Sequence, residues 1–222
     1  MLFFFHIPKT AGQSFRKSAI EYFGEEHCFL LYGEDSKTTT KSINEIYYKQ
    51  KHTTQQEKYD LINKLIEKEN IKFYSSHASS TFLPSFDVHN AAVFIRDPLE
   101  RIVSHYNYAM HKGHFKETFE AFIEDPMYQN MQSSLLYNID INKIGFIGLT
   151  EEYTTSLKLF NKTFHTSFTE YKKNKMPFFR KKTKKKKLDT LLIEKIKILN
   201  KKDFELYEKA RVIFNERLLK LM

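Results

Sequence analysis

Residues Leu2 to Ile7 form a continuous apolar run with three consecutive phenylalanines and no helical period, and it stops at Pro8. Its length and its Phe-Phe-Phe core predict a strand buried on both faces, as in a parallel sheet. Pro8 to Gly12 then reads as a turn. From Ser14 the pattern becomes helical, with Phe15, Ala19, Tyr22 and Phe23 on one side, and Gly24 stops it. The chain therefore opens with a strand, a loop and a helix in immediate succession.

That alternation continues. Strands are expected at His27 to Tyr32, Ile71 to Ser75, Ala91 to Ile95 and Ile144 to Leu149. Helical stretches are expected around 42–50 and 55–69, within a polar segment, 33–69, read as a helical insertion or side layer. After Asp97-Pro98, Leu99, Ile102, Val103, Tyr106 and Met110 fall on one helical face. Segments near 116–124, 127–137 and 151–160 also read as helices, and 188–221 as one broken or two consecutive amphipathic helices. The pattern predicts an α/β fold with a central, mostly parallel sheet and helices on both faces. A chain of 222 residues suits one domain over 1–222.

The net charge of +9 suggests a nucleic-acid binder until it is located. Residues 171–187 hold ten Lys or Arg and no acid, and the rest carries 26 bases against 27 acids. The basicity is thus one local feature, which argues for an anionic ligand at one face and against a general cationic coat. Cys28 is the sole cysteine, which excludes an intramolecular disulfide and a cysteine-rich zinc site. No window approaches the ~20 apolar residues needed to cross a bilayer. The first ten residues lack the basic start of a signal peptide. A soluble, cytoplasmic chain is expected.

Two motifs carry chemistry. In FFHIPKTAGQSFR (4–16), a small-residue loop between a buried strand and a helix N-terminus gathers backbone N–H groups around one concavity, a site for phosphate or sulfate. Lys9 adds a mobile charge, and Thr10 and Ser14 add hydroxyl donors. The alternative is a plain turn with a helix cap. The loop is not a Walker A sequence, because Lys9 precedes its one glycine. In FIRDPLERIVSHYNY (94–108), Arg96 ends a buried strand at the edge where open α/β sheets bind ligands. Ser104 points away from the centre of the apolar stripe and can meet a ligand held by Arg96. The alternative there is a surface network of Arg96 with Asp, or of Arg101 with Glu100.

Together HIPKTAGQSF and RDPLERIVSHY resemble the 5′-phosphosulfate loop and the 3′-phosphate motif of sulfotransferases that use 3′-phosphoadenosine 5′-phosphosulfate (PAPS). The likeness is to carbohydrate enzymes related to heparan sulfate and uronyl 2-O-sulfotransferases. It continues through FYSSHASSTF (73–82), FIGLTEEY (146–153), FFRKKTKKKK (178–187) and DFELYEKARVIFNERL (203–218). The resemblance implies a P-loop-like three-layer fold, PAPS as co-substrate with no metal, and a saccharide or polysaccharide acceptor, an anionic one included, with no nucleic acid.

It further implies that Lys9 touches the transferring sulfonate. The backbone amides of Thr10, Ala11, Gly12, Gln13 and Ser14 would hold the 5′-phosphate, and Arg96 and Ser104 the 3′-phosphate. Arg180, Lys181 and Thr183 would close over the nucleotide. His77 matches the family's catalytic base, and His6 stands near the acceptor. Gln13 replaces a Thr common in the first loop, and Ser75-Ser76-His77 stands where the 2-O enzymes have His-Gly-His. His105, His111 and His114 are expected near an exposed helix end. Two rival functions are a polyanion-binding protein built on 171–187 and a metal-dependent nucleotide kinase.

Overall fold

The three phenylalanines of the opening run divide their rings between the two faces of a parallel sheet. The computed structural model describes residues 1–77, 86–171 and 188–221, and these phenylalanines lie in β1 (Leu2–Phe5). Successive side chains of a strand point to opposite faces. Accordingly Phe4 meets Phe15 with ring centroids 4.6 Å apart, while Phe3 and Phe5 meet Phe86 at 4.4 and 5.5 Å.

The strands β2 (Cys28–Leu31), β3 (Phe73–Ser76), β4 (Ala91–Ile95) and β5 (Phe146–Leu149) join β1 in the order β2-β3-β1-β4-β5. Every pairing is parallel. All five strands are buried along their length. Burial on both faces is why they read as unbroken apolar runs without alternation. The strands expected from the sequence are all present, within a few residues.

The helices are α1 (Gly12–Phe23), α2 (Lys41–Asn44, prolonged by a π turn over Glu45–Lys49), α3 (Gln55–Lys68) and α4 (Pro98–Lys112). They continue with α5 (Phe119–Glu124), α6 (Met131–Leu135), α7 (Tyr153–Phe164), α8 (Thr190–Leu199) and α9 (Lys201–Leu221). Phe15 of α1 packs on Phe4 and on Phe160 of α7, the latter at 4.8 Å, so α1 and α7 cover the same face of the sheet. Segment 33–69 supplies α2 and α3 between β2 and its neighbour β3. There α3 starts on a Thr54–Glu57 capping box and buries Tyr59 and Ile62. Asp97 caps α4 and Pro98 takes its first position. The C-terminal amphipathic segment is two consecutive helices, α8 and α9.

A satellite core of Ile102, Ala109, Phe122, Ile123 and Ile196 forms between α4, α5 and α8. His105 belongs to it, with its ring 5.6 Å from Phe122 and 5.3 Å from Tyr128. The expectation that His105 is solvated is thereby corrected, whereas His111 and His114 are exposed. Burial, helped by the charges of Arg101 and Lys9, pushes the His105 pKa down to about 4.

The chain leaves β1 for β2 and β3 on one side, then crosses to β4 and β5 on the other. β1 is therefore the topological switch point, and ligand crevices of open α/β sheets form at the carboxyl ends of strands at that point.

Candidate active site

The ladder register builds the centre of the crevice. Phe5 pairs with Ser76, which sets the next two residues, His6 and His77, side by side beyond the strand ends. Their ring centroids are 4.5 Å apart. His77 Nδ1 lies 2.5 Å from the main-chain oxygen of His6. A carbonyl can only accept, so Nδ1 carries the proton and the neutral ring keeps its lone pair on Nε2. Burial lowers the His77 pKa; the bond to His6 opposes this and the Arg16 charge reinforces it. A neutral imidazole near pH 7 follows.

His6 is buried, and its Nδ1 lies 2.7 Å from the Tyr32 hydroxyl, itself 2.5 Å from Ser75 Oγ. Burial holds the His6 pKa well below its usual value, with the charges of His77 and Arg16 adding to the effect. Tyr32 follows β2 directly, and Leu31 pairs with Ser76, so its phenol reaches the same edge as the two histidines. The Arg16 guanidinium stands 4.9 Å over the Tyr32 ring. Sequence reasoning assigned no role to Tyr32 or Arg16. Tyr32 did end an expected strand, and strand order alone would have brought it here.

The loop after β1 is tight. Lys9 and Ala11 both have left-handed backbones, with φ of 72° and 66°. Non-glycine residues adopt that region sparingly, and such positions concentrate at ligand sites. Thr10 is buried and its hydroxyl donates to the Ile7 carbonyl at 2.9 Å. The hydroxyl expected to serve a ligand therefore closes the loop, and only the backbone of Thr10 remains for one. Helix α1 begins without a side-chain cap and without an acid in its first turn. Its N-terminal partial positive charge suits an anion. A Cβ at Gly12 would stand 1.9 Å from His6 Cδ2, so close approach of the ring demands glycine there. Gln13 is exposed and Ser14 half-buried at the start of α1.

Two cations stand at the loop, Lys9 from within it and Arg96 from the end of the neighbouring strand β4. Lys9 Nζ lies 4.2 Å from the ring centroid of Tyr108. Arg96 Nη1 donates to the Lys9 carbonyl at 3.1 Å, and Arg96 Nη2 is 3.5 Å from Glu100. Arg96 Nε is buried without a hydrogen-bond partner among the described residues, an orphan donor of the kind a ligand satisfies. Ser104 is half-buried and falls between Glu100 and Tyr108 at four-residue spacing, so the three share one face of α4. Of the alternative surface network, Arg96 does pair, with Glu100. Arg101 does not reach Glu100: it is fully buried, 3.8 Å from Asp203.

Arg96 is held through its main chain as well, by the Gln132 side chain. Neither Gln132 nor Asp203 carries a local sequence signal for this. Arg180, Lys181 and Thr183 lie outside the described residues. Among the described residues, no group of His, Cys, Asp or Glu is arranged to hold a metal, and no helix is long and apolar enough to cross a membrane. The crevice thus sets a neutral, oriented imidazole beside a positively charged loop edge formed by Lys9, the start of α1 and Arg96.

Residues 1–210, nearly the whole chain, match the sequence model of the Sulfotransferase family. No curated protein matches the chain.

Proposed function

The chain belongs to the sulfotransferase family, and from that premise we propose that it transfers a sulfonate group from PAPS to a hydroxyl of a saccharide acceptor, with His77 as general base. The observation that carries this reading is the His77 hydrogen bond to the His6 carbonyl, which leaves Nε2 as the proton acceptor. The saccharide follows from the likeness of the motifs to carbohydrate enzymes.

The donor nucleotide fits the residues present. An uncapped helix start suits the 5′-phosphate, and the orphan Nε of Arg96 suits a second anion, the 3′-phosphate. In this reading the N–H groups of residues 10–13 bind the first, the Ser14 N–H being given instead to the Ala11 carbonyl at 3.0 Å, and Arg96 with Ser104 binds the second. Lys9 leaves the face of Tyr108 to meet the sulfonate and the oxygen that bridges it to phosphate.

Sulfonate transfer is an in-line displacement through a loose transition state, governed by positioning and charge stabilisation. The acceptor oxygen bonds to sulfur while the bond from sulfur to the phosphate oxygen breaks. His77 Nε2 takes the hydroxyl proton, and Lys9 offsets the charge that develops on the leaving oxygen.

Calorimetry of 3′-phosphoadenosine 5′-phosphate and of ADP against the metal-free protein tests the reading. Micromolar binding of the first with little of the second is expected. Preference for ADP, or turnover that stops with EDTA, would point to a kinase.

A further inference from the structure

We propose that Gln132 is a positioning residue for the donor nucleotide, its buried amide holding both main-chain polar groups of Arg96 and so fixing where that guanidinium reaches. This rests on the reading of Arg96 as the 3′-phosphate receptor.

Arg96 is the first residue beyond a ladder. The pairing of β4 with β5 ends at Ile95 and Leu149, and Thr150 N closes it on the Ile95 carbonyl at 2.9 Å. The next peptide groups have no strand beside them, and buried backbone groups without partners are costly. Gln132 supplies the partner. Its Oε1 accepts from Arg96 N at 2.9 Å, and its Nε2 donates to Arg96 O at 2.9 Å. One primary amide thereby imitates one residue of a neighbouring strand. Two bonds to the same residue define its backbone, and the guanidinium leaves from there toward the Lys9 carbonyl, 3.1 Å away.

Gln132 is itself anchored. It is fully buried in α6, a five-residue helix, and so short a helix depends on tertiary contacts. Asp203 of α9 accepts from Gln132 N at 3.2 Å and from Ser133 N at 2.8 Å. In return the Asn130 side chain accepts from Lys202 N and Asp203 N at 3.0 and 3.3 Å. The starts of α6 and α9 cap one another, and the Gln132 amide projects from that rigid junction to Arg96. An apolar side chain would fill the same volume. The amide is needed because its two polar ends match the two polar groups of Arg96.

The test uses Gln132→Met, which removes both bonds, and Gln132→Glu, which keeps the acceptor but sets a carboxylate oxygen against the Arg96 carbonyl. Binding of 3′-phosphoadenosine 5′-phosphate and of adenosine 5′-monophosphate is measured for each, with a thermal melt to show that the variant is folded. The expected result is a drop of about tenfold or more in the preference for the 3′-phosphorylated nucleotide, with monophosphate affinity held within about twofold. A general loss of packing would weaken both nucleotides alike. If Gln132→Met fails to fold, Gln132→Glu decides. A folded variant with the wild-type preference overturns the inference. A wild-type protein without any such preference sinks the 3′-phosphate reading of Arg96, and the positioning role with it; hydrogen exchange at the Arg96 amide, slow in the wild type and fast in Gln132→Met, would then show that the clamp exists but serves another end.

Discussion

The imidazole of His77 donates from Nδ1 to the main-chain carbonyl of His6, its neighbour just beyond the end of the parallel ladder, at 2.5 Å. Because the acceptor is backbone, the tautomer of His77 survives any side chain at position 6. His77→Ala is therefore expected to lower kcat by ~10²–10⁴, the usual worth of a general base. His6→Ala should lower it much less. Affinity for 3′-phosphoadenosine 5′-phosphate should stay nearly unchanged in His77→Ala; full turnover in that variant would remove His77 from the mechanism.

The acid limb of kcat/KM should lie below pH 6.5. Only neutral His77 can take a proton, and burial lowers its pKa from 6.5. Activity is then full above that lowered pKa and lost as the pH falls through it. An apparent pKa at or above 6.5 in the pH profile would contradict a buried base.

Gly12→Ala should destabilise the protein by ~1–3 kcal/mol, as overpacking does, because the added methyl meets the buried His6 ring. In a His6→Ala background the same change should cost little. Urea denaturation of the four proteins of that cycle measures the coupling, and additive costs would show that the ring is not what Gly12 accommodates.

Arg96→Ala should weaken binding of 3′-phosphoadenosine 5′-phosphate by ~2 kcal/mol or more, the worth of a charge-assisted contact. The variant should bind nucleotides with and without the 3′-phosphate equally well. Calorimetry on both ligands reads this directly, and a preference equal to that of the wild type would refute the role.

Asp203→Ala should cost ~3–5 kcal/mol, since it strands the buried charge of Arg101. It also removes the acceptor for the first N–H groups of α6. Asp203→Asn should cost less, because it can still accept. Equilibrium denaturation ranks the two, and equal losses would mean that the α6 cap contributes nothing.

The parallel sheet was legible because its strands are buried on both faces, so each is a short unbroken apolar run. The strand–loop–helix with Lys9 and Gly12, and Arg96 at the end of β4, could be placed at one sheet edge for the same reason. Other expectations failed where a side chain had a partner that periodicity does not reveal. Thr10 turns its hydroxyl back to Ile7 within its own loop, while His105 joins an aromatic core with Phe122 and Tyr128, and Arg101 pairs with Asp203, both through partners distant in the chain. Tyr32, Gln132 and Asp203 carry no role that the sequence alone assigns, because the contacts that define them span 26, 36 and 71 residues of sequence.

Local periodicity was enough for the α/β class and the loop that ends β1, since each depends on residues close together in the chain, and the order of six short motifs was enough for the family resemblance. The tautomer of His77, the reason for glycine at position 12 and the fixing of Arg96 came with the order β2-β3-β1-β4-β5. That order places the ends of β1, β2 and β3 together, and the packing of α6 on α9 brings Gln132 to Arg96 just beyond β4. Hydrogen bonds and close contacts act over a few ångströms of space, and the neighbours they join are set by how the strands and helices assemble.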